Sequence, residues 1–290
     1  MIIKPVDKAA EFGRLRKGDM NKKGLVTGFD SFDGPLDVPG NFRLAKSYMS
    51  IFTGYPSSGK SEFLDAILIN MALLHKWKTI YYSPENFPVE MHMGKLGEKF
   101  IGKHIMEFDK EESKEALTFM NEHFTWMDPE EPELDTLLAM ATAAVKADGL
   151  DCLVIDPWNS VTHHRGSAAV HEYLQEALTK VIRFGRKHNV HVSIVAHPKI
   201  PVKDKSGDYP VPDLYSISDG AMWRNKADYG FVIHRPDLAK NEVSVYIQKI
   251  KYKWMGKPGM RDFHYDVRSG RFKAFGEKEF LLPTEIQAPF

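Results

Sequence analysis

Between an apolar run and a helical one the chain carries Gly54-Tyr55-Pro56-Ser57-Ser58-Gly59-Lys60-Ser61, the pattern G-x-x-x-x-G-K-[ST]. Two glycines let the backbone curl until successive N–H groups face one anion, and the helix that follows adds the positive end of its dipole. The product is a cradle for a phosphate chain. Lys60 is long enough to reach β- and γ-phosphates, and the Ser61 hydroxyl suits a Mg²⁺ that keeps most of its water. Residues 54–62, Glu62 included, are therefore expected to bind nucleotide.

Hydrolysis needs more than a cradle: an acid to hold the water shell of the Mg²⁺ and a base to orient the attacking water. Cys152-Leu-Val-Ile-Asp156 is an apolar strand ending in an acid, as expected where ligands gather at the carboxyl edge of a buried parallel sheet. Ser61 and Asp156 are the metal candidates. Ile80-Tyr-Tyr-Ser-Pro-Glu85 repeats the pattern, so Glu85 is the candidate general base; an exposed loop glutamate is the plainer alternative. Val192-Ser-Ile-Val-Ala-His197 ends a third such strand, where an imidazole could bond the γ-phosphate and report its loss to the next loop. His163, His164, His188 and His191 lack a zinc-protease spacing, and no zinc is expected.

These groups converge only if the strands lie side by side. Short β-rich runs over 48–53, 79–83, 123–127, 152–156, 191–196, 229–234 and 243–250 alternate with helical patterns over 61–75, 89–101, 110–122, 134–147 and 168–188. Such alternation predicts an α/β fold, a mostly parallel, doubly wound sheet. After Asp228 strand follows strand, which predicts antiparallel strands at the C-terminal edge. Two long irregular stretches, 159–171 and 198–224, interrupt the pattern, and long loops in compact domains are commonly functional.

Composition narrows the class. Of 290 residues 43% are hydrophobic and 27% charged, which excludes a disordered, collagen-like or coiled-coil chain. Lys and Arg number 39 against 39 Asp and Glu, so a polyanion partner would need a local basic surface. Charge is indeed segregated: residues 107–135 hold eleven acids and two bases, whereas 246–275 hold eight Lys or Arg and two Asp. The single Cys152 can form no internal disulfide and reads as a small buried hydrophobe. With no bilayer-spanning run and no signal-peptide core, the expectation is a cytoplasmic protein without membrane contact.

Taken in order over 24–259, these motifs resemble the DnaB-like replicative helicases with a RecA-like core, in the phage and Twinkle-type branch. Residues 24–33 look like that family's opening segment, TGYPSSGKS like its Walker A, YYSPEN like its catalytic-glutamate strand, VIDPWN like its Walker B and IVAHPK like its sensor strand. The resemblance implies a RecA-like P-loop NTPase with ATP and Mg²⁺, assembled as a homo-hexamer on single-stranded DNA, unwinding 5′ to 3′ with ATP between subunits. It also implies a primase, polymerase or loader as possible partners.

A neighbour's basic finger would come from 248–256, where Lys251 stands at the position aligned with the usual arginine and Lys249 or Lys253 is the alternative. A basic edge strand that discourages aggregation explains the same residues. DNA contact is expected from the two long loops, through Arg165 in the first and Lys199, Lys203, Lys205, Gly220 and Arg224 in the second. The domain is expected to span 24–290 after a lead over 1–23, in which 7–16 could form a helix that packs on the adjacent subunit. A RecA/KaiC-like recombinase, or a nucleotide-gated DNA-binding or loader ATPase, fits the same motifs.

Overall fold

A computed structural model describes residues 4–17, 24–164, 169–199, 209–218 and 220–275. After a lead helix α1 (Ala9–Arg16) and a short turn of helix α2 (Asp30–Asp33), the chain alternates as β1 (Met49–Thr53), α3 (Lys60–His75), β2 (Thr79–Tyr82), α4 (Val89–Ile101), α5 (Lys110–His123), β3 (Phe124–Trp126), α6 (Leu134–Ala147), β4 (Cys152–Ile155), α7 (Val170–His188) and β5 (His191–Val195). Then follow α8 (Gly220–Lys226), β6 (Tyr229–His234), β7 (Glu242–Ile250), β8 (Gly259–Tyr265) and β9 (Phe272–Ala274).

All nine strands join one sheet in the order β3-β2-β4-β5-β1-β6-β7-β8-β9. The first six are mutually parallel and the last three add antiparallel. This is the expected architecture. Its cause is visible in β4, which is buried on both faces: Cys152 and Val154 pack into one core, Leu153 and Ile155 into the other. One core is aromatic, with Phe32, Phe42, Phe63 and Phe263 within 6.1 Å or less of a neighbouring ring. The other is mainly aliphatic and lies under α6 and α7. Cys152 is fully buried, and burial pushes its thiol up to about 12, so it behaves as the small hydrophobe its sequence context indicates.

Local chemistry ends several helices where the sequence marks them. Asn189 takes the left-handed conformation after α7, and Asp109 and Glu112 cap α5 reciprocally, each side chain accepting from the other's backbone N–H at 2.8 and 3.0 Å. One element differs from expectation: α8 begins inside the stretch read as irregular, because Trp223 is buried there against Trp158 and its ring N–H reaches the Ser218 carbonyl at 2.9 Å. Tertiary burial, rather than propensity, makes that short helix. Phe12 on the lead helix α1 and Val6 just before it are exposed.

Candidate functional site: a phosphate cradle at the carboxyl edge

Strand order explains why residues 140 positions apart meet. With β2, β4, β5 and β1 adjacent and parallel, their carboxyl ends present Glu85, Asp156, His197 and the 54–59 loop in a row. Gly54 is obligatory in that loop: its φ is +155°, and a Cβ would stand 2.1 Å from the Ile233 carbonyl oxygen and 2.6 Å from Ser58 Oγ. Gly59, at φ +89°, turns the loop into α3, whose first residue is Lys60. The free N–H groups of that helix start face the loop.

Lys60 is buried at 6% exposure and folds back so that Nζ donates to the Tyr55 carbonyl at 3.0 Å. Burial draws its ammonium below the usual lysine range, with the charges of Asp156 and Glu85 opposing that pull. Asp156 is buried as well. Burial pushes its carboxyl up to about 6; the Ser61 hydroxyl bonded to it and the Lys60 charge act downward, while the charges of Asp65 and Glu85 act upward. His197 Nε2 lies 3.8 Å from Glu85 Oε1, an electrostatic contact rather than a hydrogen bond. Burial, then Lys60, holds that imidazole below its ordinary pKa against the pull of Glu85, so it is neutral at pH 7. The structure thus gathers five of the sequence candidates, Lys60, Ser61, Asp156, Glu85 and His197, around one point.

The residues fit a magnesium nucleotide. Thr53 Oγ1, Ser58 Oγ and His197 Nδ1 are buried polar atoms without a partner among the described residues, and they surround a loop whose glycine conformation holds a backbone concavity open. Ser61 and Asp156 are the oxygen donors such a cation prefers. Tyr55, Pro56 and Ser57 form the outer lip, with Tyr55 raised above the ordinary phenol range by burial and then by Asp213 and Tyr209.

Several candidates fall elsewhere. Glu62 does not face the nucleotide: it pairs with Lys99, with Lys95 at 3.2 Å, and accepts from Tyr265 Oη at 3.3 Å, bracing α3 against α4 and β8. Burial opposes its ionisation, yet Lys99 and Lys95 hold its carboxyl below the usual range. Gly220 is buried, its Cβ position 2.0 Å from the Tyr215 carbonyl oxygen, so close packing accounts for the glycine. Lys199 is exposed, and Arg224 stacks over the Tyr215 ring at 5.0 Å. Arg165, Lys203 and Lys205 lie outside the described residues.

Lys249 and Lys251 sit at the opposite end of the sheet. Ile250 is level with Tyr229, which is level with Ser50, so Lys251 is roughly 15 Å along the strand and about 10 Å across the sheet from Gly54. Neither lysine reaches its own phosphate loop. Lys251 Nζ pairs with buried Asp228 at 2.8 Å, and Lys249 Nζ donates to the Arg224 and Asn225 carbonyls.

Sequence reasoning missed a buried network beside the site. Asp65, one turn after Ser61 on α3, accepts from Tyr81 Oη at 3.0 Å and His92 Nε2 at 3.2 Å, and Trp126 Nε1 donates to His92 Nδ1 at 3.0 Å. The tryptophan N–H can only donate, so it fixes the tautomer that places the proton on Nε2, toward Asp65. Burial opposes ionisation of Asp65, but His92, Lys99 and Tyr81 hold its carboxyl below the usual range. No motif announces this cluster; successive members are 11 to 34 residues apart along the chain.

Fold and site together define a P-loop nucleotide triphosphatase built on a RecA-like sheet. Comparison with known proteins sharpens this. The family description "AAA domain" matches residues 38–200. The chain is 34% identical over 268 residues to the Twinkle homolog protein, chloroplastic/mitochondrial, of Arabidopsis thaliana, a match that takes in 86% of the chain and 36% of that relative. It therefore spans about a third of the relative's length. The ATPase domain of G40P superposes with a TM-score of 0.69 at 15% identity over 91% of the chain and 96% of that structure. A DnaB-like replicative helicase solved with its primase interactions superposes at 0.71 and 16%, over 94% and 67%. The RadB recombinase gives 0.53 and 17%, over 84% and 97%. The chain belongs to the AAA domain family and has the RecA-like fold of DnaB-like helicase ATPase domains. Among the described residues no helix is long and apolar enough to cross a membrane.

Proposed function

We propose that the chain is the ATP-hydrolysing motor of a DNA helicase that assembles as a ring hexamer, translocates 5′ to 3′ on single-stranded DNA and hydrolyses ATP between subunits. One observation carries the reading: Lys60, Ser61, Asp156, Glu85 and His197 meet around a phosphate cradle, while the basic strand end with Lys249 and Lys251 lies out of its reach. If that strand supplies the finger, the nucleotide it serves is a neighbour's and the motor is an oligomer.

In this mechanism Lys60 and the loop amides bind the phosphates of ATP. Ser61 and Asp156 would hold Mg²⁺, which when bound neutralises charge on the β- and γ-phosphates. Glu85 orients the attacking water, and its 59% exposed side chain leaves room for that water. A neighbour's Lys251, or Lys249, stabilises the charge that develops, as a point charge rather than a planar fork. Neutral His197 donates its ring N–H to the γ-phosphate and passes its loss to the loop that follows. Lys199 and Arg224 bind the DNA backbone without reading sequence, so binding weakens steeply with salt. The interactions with primase described for the DnaB-like replicative helicase support a primase as partner.

The likeness to RadB supports a second reading, a recombinase-like filament on the same fold. The deciding experiment measures ATPase turnover with and without single-stranded DNA on a sample of known subunit count, together with unwinding of forks bearing only a 5′ or only a 3′ tail. DNA-stimulated turnover in a six-membered species with 5′-tail dependence is expected. Open filaments that pair strands without unwinding favour the second reading. A monomer barred from self-association that hydrolyses ATP fully and ignores oligonucleotides refutes both.

A further inference from the structure

The stretch 209–217 touches the phosphate loop at one end and the finger strand at the other. Tyr55 donates its hydroxyl to the Pro210 carbonyl at 2.9 Å, and its ring leans on Tyr209 with centroids 5.4 Å apart. A few residues on, Gln248 of β7 grips the same backbone twice: Nε2 donates to the Pro212 carbonyl at 3.2 Å, and Oε1 accepts from the Leu214 N–H at 3.1 Å. One orientation of the amide alone satisfies both bonds. Leu214 is fully buried, so the grip falls on an anchored piece of backbone. The next residue of β7, Lys249, holds the Arg224 and Asn225 carbonyls at the end of α8, and Lys251 holds Asp228 just beyond.

We propose that Tyr55 and Gln248 are positioning residues that suspend the DNA-facing stretch 209–217 between two nucleotide sites: Tyr55 carries the state of the chain's own phosphate loop, and Gln248 carries displacement of the finger strand engaged with the neighbour's nucleotide. The inference rests on the helicase reading above and adds the parts that link chemistry to grip. Hydrogen bonds from side chain to backbone weaken steeply beyond about 3.2 Å, so a shift of either anchor pulls the stretch with it. The coupling is reciprocal: whatever factor nucleotide applies to DNA affinity, DNA applies to nucleotide affinity. Neither residue touches a reacting atom; both act through the segment they hold.

The test compares the wild-type chain with Gln248→Met, which keeps bulk and removes both bonds, and Tyr55→Phe, which keeps the ring and removes the hydroxyl. ATPase turnover is measured with and without oligo(dT), and oligo(dT) affinity is measured with a non-hydrolysable ATP analogue and with ADP. In Gln248→Met, DNA-free turnover and KM stay within about twofold of wild type, while the DNA stimulation and the analogue-to-ADP affinity ratio each fall about fivefold or more. In Tyr55→Phe the same two ratios fall, whatever its DNA-free rate. Wild-type ratios in both variants overturn the proposal, and so does a Gln248→Met that loses DNA-free turnover with its ratios intact. A wild-type chain indifferent to oligo(dT) refutes the helicase reading itself, and the coupling with it.

Discussion

Replacing Asp65 tests whether the buried Trp126–His92–Asp65–Tyr81 chain is what holds the phosphate helix in place. Tyr81 and His92 are each about 1% exposed, and Asp65 2%. In Asp65→Ala two buried donors, Tyr81 Oη and His92 Nε2, lose their acceptor, at about 1–3 kcal/mol each. Removing one partner of a buried charged network is generally worth about 3–5 kcal/mol, and the two routes agree on roughly 4. Guanidinium unfolding followed by tryptophan fluorescence should show that loss with little change in slope. Tyr81→Phe made on top of Asp65→Ala should cost nearly nothing, because its hydroxyl is already orphaned, giving a coupling of about 1–2 kcal/mol in the double-mutant cycle. The variant also carries a catalytic signature. The Asp65 charge is among the influences raising Asp156, so its removal lowers the Asp156 pKa and moves the rising limb of the pH–rate profile toward acid. A stability loss below about 1 kcal/mol, an additive cycle, or a limb moved toward alkali would each refute the reasoning.

Glu85→Gln should bind ATP within a few-fold of wild type and lose about 10²–10⁴-fold in turnover, read in a steady-state phosphate-release assay; near-normal turnover removes Glu85 from its role. Lys60→Ala and Lys251→Ala should each be inactive alone, yet mixed subunits should regain about a quarter of the sites, since a finger given in trans joins one intact residue from each parent; no recovery on mixing argues against Lys251 as that finger. His191 is buried neutral between the Ala45 carbonyl and Ser50 Oγ at 2.8 Å each, and burial pulls its pKa down to about 4. Its folded pKa lies below the unfolded 6.5, so its contribution is present above 6.5 and falls as pH drops toward 4, by about 2 kcal/mol at pH 5. Asp33 and Asp156, both raised to about 6, push the other way over that range, so the check is the difference in unfolding free energy between wild type and His191→Gln at pH 7.5 and 5. A difference independent of pH would contradict the assignment.

What could be read from the amino-acid order was whatever is encoded within a few neighbouring residues. The P-loop is contiguous, and an apolar strand closed by Asp156, Glu85 or His197 is a local pattern that burial on both faces of a parallel sheet imposes directly. The alternation of strand and helix, and with it the fold class, is legible for the same reason. Directions and long-range pairings are not. Glu62 stands next to Ser61 in sequence but 100° round the helix, which turns it from the nucleotide to Lys99. The Asp65 network joins a helix, a strand, a second helix and an edge strand, and hydrogen bonding between elements leaves no periodicity to find. The antiparallel register that carries Lys251 to the far end of the sheet, and the contacts of Tyr55 and Gln248 with 209–217, arise only when the strands take their order. Sequence supplied the reacting groups; packing of the sheet decided which of them face one another and which must look to a neighbour.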